Sequence, residues 1–489
     1  MTVKRGTSFA ALLERLPEAR VLSGNASVIS AIRIDSRAVE PGDLFVALRG
    51  EHADGHRYAG DALARGAAAV VVDAPLEQTP GRAAAVVLVP ETKRALSALA
   101  AAFYGDPSRA LDAIGVTGTN GKTTVTHMVS AVLNGAGIPC GVIGTIGAAF
   151  GRRRWELHHT TPLPPELHAV IAAMKDDGAR AVALEVSSHA LSLERVDDVA
   201  FSVAALTNVT RDHLDFHRSV DAYAAAKRRL FDLAPHVVLN VDDERGARWA
   251  QELRHAGREP LTYGAGGGAD LVPEAIVLGA SGSSFRVDGR SYELQLPGRF
   301  NVWNALATIG IARWLNVADD AIAAGLASLC SVPGRMERLN GAVDVVVDYA
   351  HTPDALRSAL SALRETRPSN VAVVFGCGGD RDRGKRAEMG AIAAEFADRI
   401  YLTNDNPRSE EPLSIVREIA EGIAGERRYV VELDRGAAIG RAIAEARPGD
   451  VVLIAGKGHE TYQIVGDRVL DFDDLAVAAA ALKERGAAH

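Results

Sequence analysis

Gly118-Thr-Asn-Gly-Lys-Thr-Thr124 is the segment whose spacing most directly suggests chemistry. It follows the strand-like run Leu111–Val116 and leads into a helical pattern from Lys122. At such a junction, backbone N–H groups and the positive end of the helix dipole hold phosphate oxygens. Lys122 would neutralise β- and γ-phosphates, and the Thr123 hydroxyl would ligate magnesium. The pattern Gly-x-x-x-x-Gly-Lys-Ser/Thr would put its first glycine at position 116, which is Val116, with Gly115 and Gly118 nearby. A tight glycine-rich turn is the bland alternative. Glu185 ends the strand-like Ala181–Val186 and precedes Ser187-Ser-His189, while Thr210-Arg-Asp-His-Leu-Asp215 follows Ser202–Val209. In a parallel sheet, these runs bring Glu185, Asp212 and His213 to the carboxyl edge where ligands bind, as metal or phosphate ligands. Each alone reads equally as a structural strand-end carboxylate or a satisfied loop network.

Elements able to position these groups recur along the chain. Up to about Val89, short strands such as Asp43–Leu48 and Ala68–Asp73 alternate with helical segments, a small α/β unit. A helix-like Glu91–Tyr104 precedes a larger α/β region built around the phosphate loop. After Pro333-Gly334, a plausible hinge, strands and helices alternate: Val343–Tyr349, Ala355–Arg364, Val371–Phe375, Lys385–Phe396, Ile400–Thr403, Ile415–Ile423, Ala437–Ala446 and Val451–Ala455. That alternation predicts a parallel, Rossmann-like sheet. The 489 residues also exceed one core, since domains run at roughly 150 residues. The expected organisation is α/β in three domains: a small α/β domain at 1–89, a central ATP-binding domain with a mainly parallel sheet at 90–332, and a Rossmann-like domain at 333–489.

Composition narrows the function classes. A chain 47% hydrophobic and 24% charged can bury sizeable cores. A net charge of −8 argues against bulk electrostatic binding of nucleic acid, so an anionic ligand must meet local positive charge. Three distant cysteines without a C-x-x-C pair indicate neither a disulfide framework nor a zinc knuckle, and fit a reducing cytoplasm. Glu14 and Arg15 interrupt the first apolar stretch too early for a signal peptide. The uncharged stretch Thr123–Gly151 carries His127, Asn134, Pro139 and several glycines, which reads as helix, turn and strand rather than a membrane span.

Five ordered motifs then carry a resemblance: Gly118–Thr124, Glu185-Val-Ser-Ser-His189, Thr207–Asp215, Asp348-Tyr-Ala-His-Thr-Pro-Asp354 and Gly456-Lys-Gly-His-Glu460. Together the chain resembles the Mur ligase family, and within it the members that extend the peptidoglycan stem peptide with 2,6-diaminopimelate. The resemblance implies that Gly118, Thr119, Asn120, Gly121, Lys122, Thr123 and Thr124 bind ATP. Asn301 and Asn304 would lie on its adenine side, with Arg335 and His351 reaching it from the next domain. Asp35–Gly50, by itself a strand hairpin, resembles the segment that holds the uridine end, implicating Ile34, Ser36, Glu51, His52 and Ala53. Thr160, Thr161, Ser187 and Arg195, with His159 where some relatives have Asn, match contacts to the muramoyl dipeptide, though without the resemblance these side chains read as polar groups facing solvent. Lys227, on sequence grounds a solvated helix lysine, falls where the family carries a carbamylated lysine. With Thr123, Glu185 and His213 it would hold magnesium.

Asp405-Asn-Pro-Arg408 resembles the recognition motif of the meso-diaminopimelate-adding members. That amino acid differs from lysine by a distal carboxylate, which a guanidinium pairs through two charge-assisted hydrogen bonds. Arg408 is therefore the expected selectivity residue, with Asp405, Asn406, Pro407, Arg381, Gly456 and Glu460 as further contacts. Cys377, in the Gly376–Lys385 turn, reads as a packing residue with no histidine spaced to activate it. The implied activity is ATP-dependent addition of meso-diaminopimelate to the D-Glu γ-carboxylate of UDP-MurNAc-L-Ala-D-Glu through an acyl phosphate. It would serve cytoplasmic peptidoglycan synthesis and hence cell shape and division, with ATP and Mg²⁺ as cofactors and neither nucleic acid nor membrane insertion involved. A folylpolyglutamate synthetase-like ligase, a lysine-adding relative and a P-loop switch without ligation are the competing readings.

Overall fold

The N-terminal sheet orders Arg20–Ser23, Ala85–Leu88, Ala69–Val72, Leu44–Val46 and Ile32–Arg33, parallel apart from the first strand. In the computed structural model, residues 6–50, 53–76, 84–266, 268–425 and 429–487 are described. Alternation along these strands feeds two cores, as a pleated strand requires. Leu44, Val46 and Val71 pack with Phe9, Leu12, Leu96 and Leu99 on one face, and Phe45, Val70 and Val72 pack with Ala59 and Ala62 on the other. Asp35–Gly50 is not a strand hairpin. Asp35 caps one turn of 3₁₀ helix, Ser36–Ala38, and the chain re-enters so that Leu44–Val46 runs parallel to Ile32–Arg33. The buried Asp43 carboxylate anchors this crossover by accepting from Arg33 Nε and Glu40 N, both at 3.0 Å.

The chain forms two compact units, with boundaries that cut through the strands Asp112–Thr117 and Phe201–Leu206. The first unit holds Met1–Gly115, Ile138–Ala204 and Ala226–Pro235. Beyond the N-terminal sheet it contains Cys140–Gly144, joined antiparallel to Gly147–Phe150, which pairs antiparallel with Arg153–Trp155. Ala181–Glu185 lies parallel to Cys140–Gly144. The second unit holds Val116–Gly137, Ala205–Ala225 and His236–His489. It includes the helix Lys122–Gly135, the parallel pair His236–Asn240 and Leu261–Tyr263, a three-stranded antiparallel sheet spanning Glu274–Leu294, and the helix Arg299–Trp314.

The six-stranded C-terminal sheet runs Glu337–Leu339, Asp344–Asp348, Val451–Ala455, Val371–Phe375, Arg399–Leu402 and Tyr429–Val431. All neighbours are parallel except the antiparallel first pair, an edge strand absent from the expected parallel sheet. Val346, Val373, Phe375 and Leu453 face the helices Pro353–Glu365, Lys385–Phe396 and Pro412–Ala420. Val345, Val374, Tyr401 and Ile454 face Arg435–Glu445 and the C-terminal helix. Two helices begin earlier than apolar spacing predicts because Thr352 and Glu411 cap them, each followed by proline at the first turn. Among the described residues, no helix is long and apolar enough to cross a membrane.

Candidate active site

Lys122–Gly135 starts immediately after Gly121, whose φ of +89° a side chain rarely adopts. A Cβ on Gly118 would lie 1.8 Å from Thr207 Oγ1, and one on Gly121 would lie 2.5 Å from Asn304 Oδ1, so both glycines allow close approach. Val116 departs from the P-loop pattern because the strand runs on to Thr117 and buries that residue in the sheet. Lys122 Nζ donates to Gly118 O and Thr119 O at 2.9 and 2.8 Å, lying across its own loop. Thr119 Oγ1 lies 3.1 Å from the Tyr223 hydroxyl and accepts from Thr210 N at 2.9 Å. Thr123 and Thr124 are buried.

Several C-terminal groups meet this loop. Arg335 Nη2 donates to Thr123 Oγ1 at 2.9 Å while its guanidinium covers the Tyr349 ring at 4.4 Å. Asn120 Nδ2 donates to Asp354 Oδ2 at 2.8 Å. Asn301 and Asn304 are buried within the helix Arg299–Trp314, and Asn304 Nδ2 donates to Asn301 Oδ1 at 3.0 Å. His351 Nδ1 lies 2.8 Å from Tyr349 O, and burial, then Lys385, pushes its imidazole below the ordinary histidine range. His213 Nε2 lies 3.3 Å from Asp212 Oδ2. Burial opposes ionisation of Asp212, yet His213, His351 and Lys385 hold its carboxyl below the usual value.

The first unit carries a separate polar cluster. Glu185 is buried, and both carboxylate oxygens accept from Thr145, from its N–H and its hydroxyl, each at 2.9 Å. Thr161 is fully buried, donating to Glu185 O at 2.8 Å and accepting from Ser187 N at 3.0 Å. Arg195 Nη1 donates to Thr161 O at 2.9 Å, and burial lowers the guanidinium pKa. Thr161, Ser187 and Arg195 therefore form one hydrogen-bonded network rather than separate solvent-facing groups. Thr160 Oγ1 joins it through Thr145 Oγ1 at 3.2 Å, while His159 is exposed. Lys227 is not solvated either: it is 1% exposed. Ser36 is buried, Ile34 half-buried and Ala53 exposed, whereas Glu51 and His52 lie outside the described residues.

The third group sits at the carboxyl ends of three neighbouring C-terminal strands, Val451–Ala455, Val371–Phe375 and Arg399–Leu402, where a doubly wound sheet binds its ligand. Asp405–Arg408 is packed tightly against the turn after Val371–Phe375: a Cβ on Gly379 would lie 1.9 Å from Pro407 O. Arg408 takes a left-handed φ of +52° and donates from Nη1 to Gly379 O at 2.8 Å. Gly456, at φ +118°, faces Asp405, whose Oδ2 would lie 2.5 Å from an added Cβ. Asn406 Nδ2 donates to Glu460 Oε2 at 3.2 Å. Arg381 is exposed, 3.8 Å from Asp215 Oδ2. Cys377 is buried 3.7 Å from Met389 Sδ, with its thiol pushed up to about 12 by burial, as befits packing.

Sequence reasoning passed over Thr145 and gave no individual role to Asn208, Asp354, Lys385 and Lys457 within the motifs that contain them. Asn208 Oδ1 accepts from Asn120 N at 3.0 Å, and Lys385 donates to His351 O at 2.8 Å. All five lie within two residues after a strand or within a helix's first turn, a positional signal available from the sequence.

Three family profiles match in order: "Mur ligase family, catalytic domain" over residues 28–104, "Mur ligase middle domain" over 116–312, and "Mur ligase, glutamate ligase domain" over 334–458. A UDP-N-acetylmuramoyl-L-alanyl-D-glutamate–2,6-diaminopimelate ligase of Syntrophomonas wolfei is 43% identical over 469 residues, 93% of this chain and 95% of its own length. The enzyme of that name from Geobacillus thermodenitrificans is 44% identical over 491 residues, 97% of this chain and 99% of its own. A solved structure of a ligase of that name superposes with a TM-score of 0.67 at 32% identity, covering 94% of this chain and 96% of its own. Ordered motifs, fold and end-to-end identity converge, and the chain belongs to the Mur ligase family.

Proposed function

We propose that this protein is the ATP-dependent ligase that joins an amine of meso-2,6-diaminopimelate to the D-Glu γ-carboxylate of UDP-MurNAc-L-Ala-D-Glu, in cytoplasmic peptidoglycan precursor synthesis. The observation that carries this reading is full-length identity of 43–44% to ligases named for that reaction. Residues 1–89 would bind the UDP end, 90–332 ATP, and 333–489 the amino acid.

A carboxylate is a poor acyl donor, and phosphorylation by ATP turns it into an acyl phosphate with phosphate as leaving group. Gly118–Thr124 would wrap the nucleotide phosphates with backbone N–H groups, and Lys122 would exchange its two loop carbonyls for phosphate oxygens. Asn301, Asn304, Arg335 and His351 would contact the nucleotide. Ile34, Ser36, Glu51, His52 and Ala53 would hold uridine, and His159, Thr160, Thr161, Ser187 and Arg195 the muramoyl dipeptide. Arg408 would pair the distal carboxylate of diaminopimelate, with Arg381, Asp405, Asn406 and Pro407 as further contacts, while Gly456 and Glu460 hold its amino-acid end.

Thr123, Glu185, His213 and Lys227 as a carbamate would hold magnesium. Among the described residues no three His, Cys, Asp or Glu side chains group to hold a metal ion, and magnesium is an ion that usually keeps waters and binds substrate phosphates beside one or two carboxylates. When bound, magnesium would shield charge on the transferring phosphoryl group. Mass spectrometry after incubation with ATP, UDP-MurNAc-L-Ala-D-Glu and either diaminopimelate or lysine tests the reading. The expected result is ADP with the diaminopimelate-extended product. ATP hydrolysis without ligation, or exclusive use of lysine, would overturn it.

A further inference from the structure

Lys457 is fully buried, and the roles assigned above leave it unused. Its Nζ donates to Glu460 Oε2 at 3.0 Å and to Asn406 Oδ1 at 3.2 Å, and lies 5.4 Å from the centre of the Tyr462 ring. Asn406 Nδ2 closes the triangle by donating to the same Glu460 oxygen at 3.2 Å. Asn406 Oδ1 also accepts from Ile464 N at 2.9 Å, and Gln463 Nε2 donates to Asp405 O at 2.8 Å. The strand Tyr462–Val465 thereby braces the recognition loop, and Arg408 N donates to Ile464 O at 3.2 Å. A buried ammonium with two oxygen acceptors and an aromatic face is firmly held.

We propose that Lys457 is a positioning residue for diaminopimelate: it fixes the Glu460 carboxylate and the Asn406 amide in one geometry, with Glu460 placed to receive the ammonium of the incoming amino acid. This rests on the ligase reading above. The charged and titratable groups around Glu460 are Lys457, Asp405 and Arg435, with the hydroxyls of Tyr349 and Tyr462. Burial, and then Asp405, raise the Glu460 pKa, and Lys457 is the neighbour that most opposes this. Arg435 is committed to Asp474, at 2.7 and 2.8 Å, so it is a poor substitute.

Lys457→Met should therefore weaken diaminopimelate use specifically. A lost hydrogen bond to a charged group corresponds to a rise in KM of about 10- to 100-fold, with KM for ATP within about twofold. The acid limb of kcat/KM for diaminopimelate should move to higher pH, because Glu460 without its cation protonates more readily. Lys457→Arg, which keeps the charge, should leave that limb in place. In a Glu460→Gln background, Lys457→Met should no longer move the limb, since the titrating group is gone. Should Lys457→Met lack a native circular dichroism spectrum, Lys457→Gln against Lys457→Arg decides by the same criteria. An unmoved acid limb, or equal losses toward ATP and diaminopimelate, would overturn the assignment. An active wild-type enzyme with an indifferent Lys457 variant sinks only this inference, whereas a wild-type enzyme that does not ligate diaminopimelate sinks the ligase reading.

Discussion

A single buried side chain already predicts how stability follows pH. His168, in the helix Pro164–Asp176, is fully buried with neither ring nitrogen hydrogen-bonded, and burial lowers its pKa from 6.5 to about 4. The folded state therefore binds fewer protons than the unfolded one. The associated stability is complete above the ordinary histidine value of 6.5 and is lost as pH falls toward the folded pKa, by about 1.4 kcal/mol for each tenfold rise in proton concentration. Urea unfolding at pH 7 and pH 5 should show a steeper loss for the wild type than for His168→Leu, which removes the titrating group. Equal losses would mean that His168 is not the source. Burial also explains why single residues are misread from sequence. Lys227 sits in the charged pattern Ala224-Ala-Ala-Lys-Arg-Arg229 and looks solvated, yet it is the one of its three adjacent cations that is fully buried. Nothing in residue type reveals that, because the side that a short helix buries is chosen by its neighbours.

Elements matter through what their ends present. The strand-end logic was legible: Gly118, Glu185, Gly376, Thr403 and Gly456 each lie just after or at the end of a strand. What each strand end meets is set by tertiary packing, which left Asp354 unrecognised. Asp354 lies in the first turn of Pro353–Glu365 and binds Asn120 of the phosphate loop, linking a C-terminal helix start to the nucleotide-binding turn. Asp354→Asn should raise KM for ATP by about 3- to 10-fold, the scale of one weakened hydrogen bond, while leaving KM for diaminopimelate near the wild-type value. Unchanged ATP kinetics would show that the contact does not shape the loop. The Asp35–Gly50 segment misleads for a related reason. Asp43, a polar residue in an apolar run, is a fully buried anchor rather than an exposed hairpin position. A ten-residue crossover, 34–43, replaces the tight turn that alternation alone suggests.

At the scale of the whole molecule, α/β layering and the mainly parallel C-terminal sheet followed from periodicity, because strands buried on both faces read as continuous apolar runs. The antiparallel edge strand Glu337–Leu339 is too short to register as a period, so it escaped notice. A net charge of −8 also coexists with cations at the places proposed for anionic ligands: Lys122 and Arg335 at the phosphate loop and Arg408 on the recognition loop. The family was legible because the resemblance rests on contiguous motifs, whereas the hydrogen bonds of Thr145 and Lys385 go to partners remote in sequence. The most direct test of the account is the ratio of kcat/KM for meso-diaminopimelate to that for lysine, measured in the wild type and in Arg408→Ala. The wild type should prefer the diacid strongly, and loss of the guanidinium should shrink that preference by about 10- to 100-fold, the worth of a charged hydrogen-bonded pair. A wild-type enzyme indifferent to the distal carboxylate, or a preference that Arg408→Ala leaves intact, would contradict it.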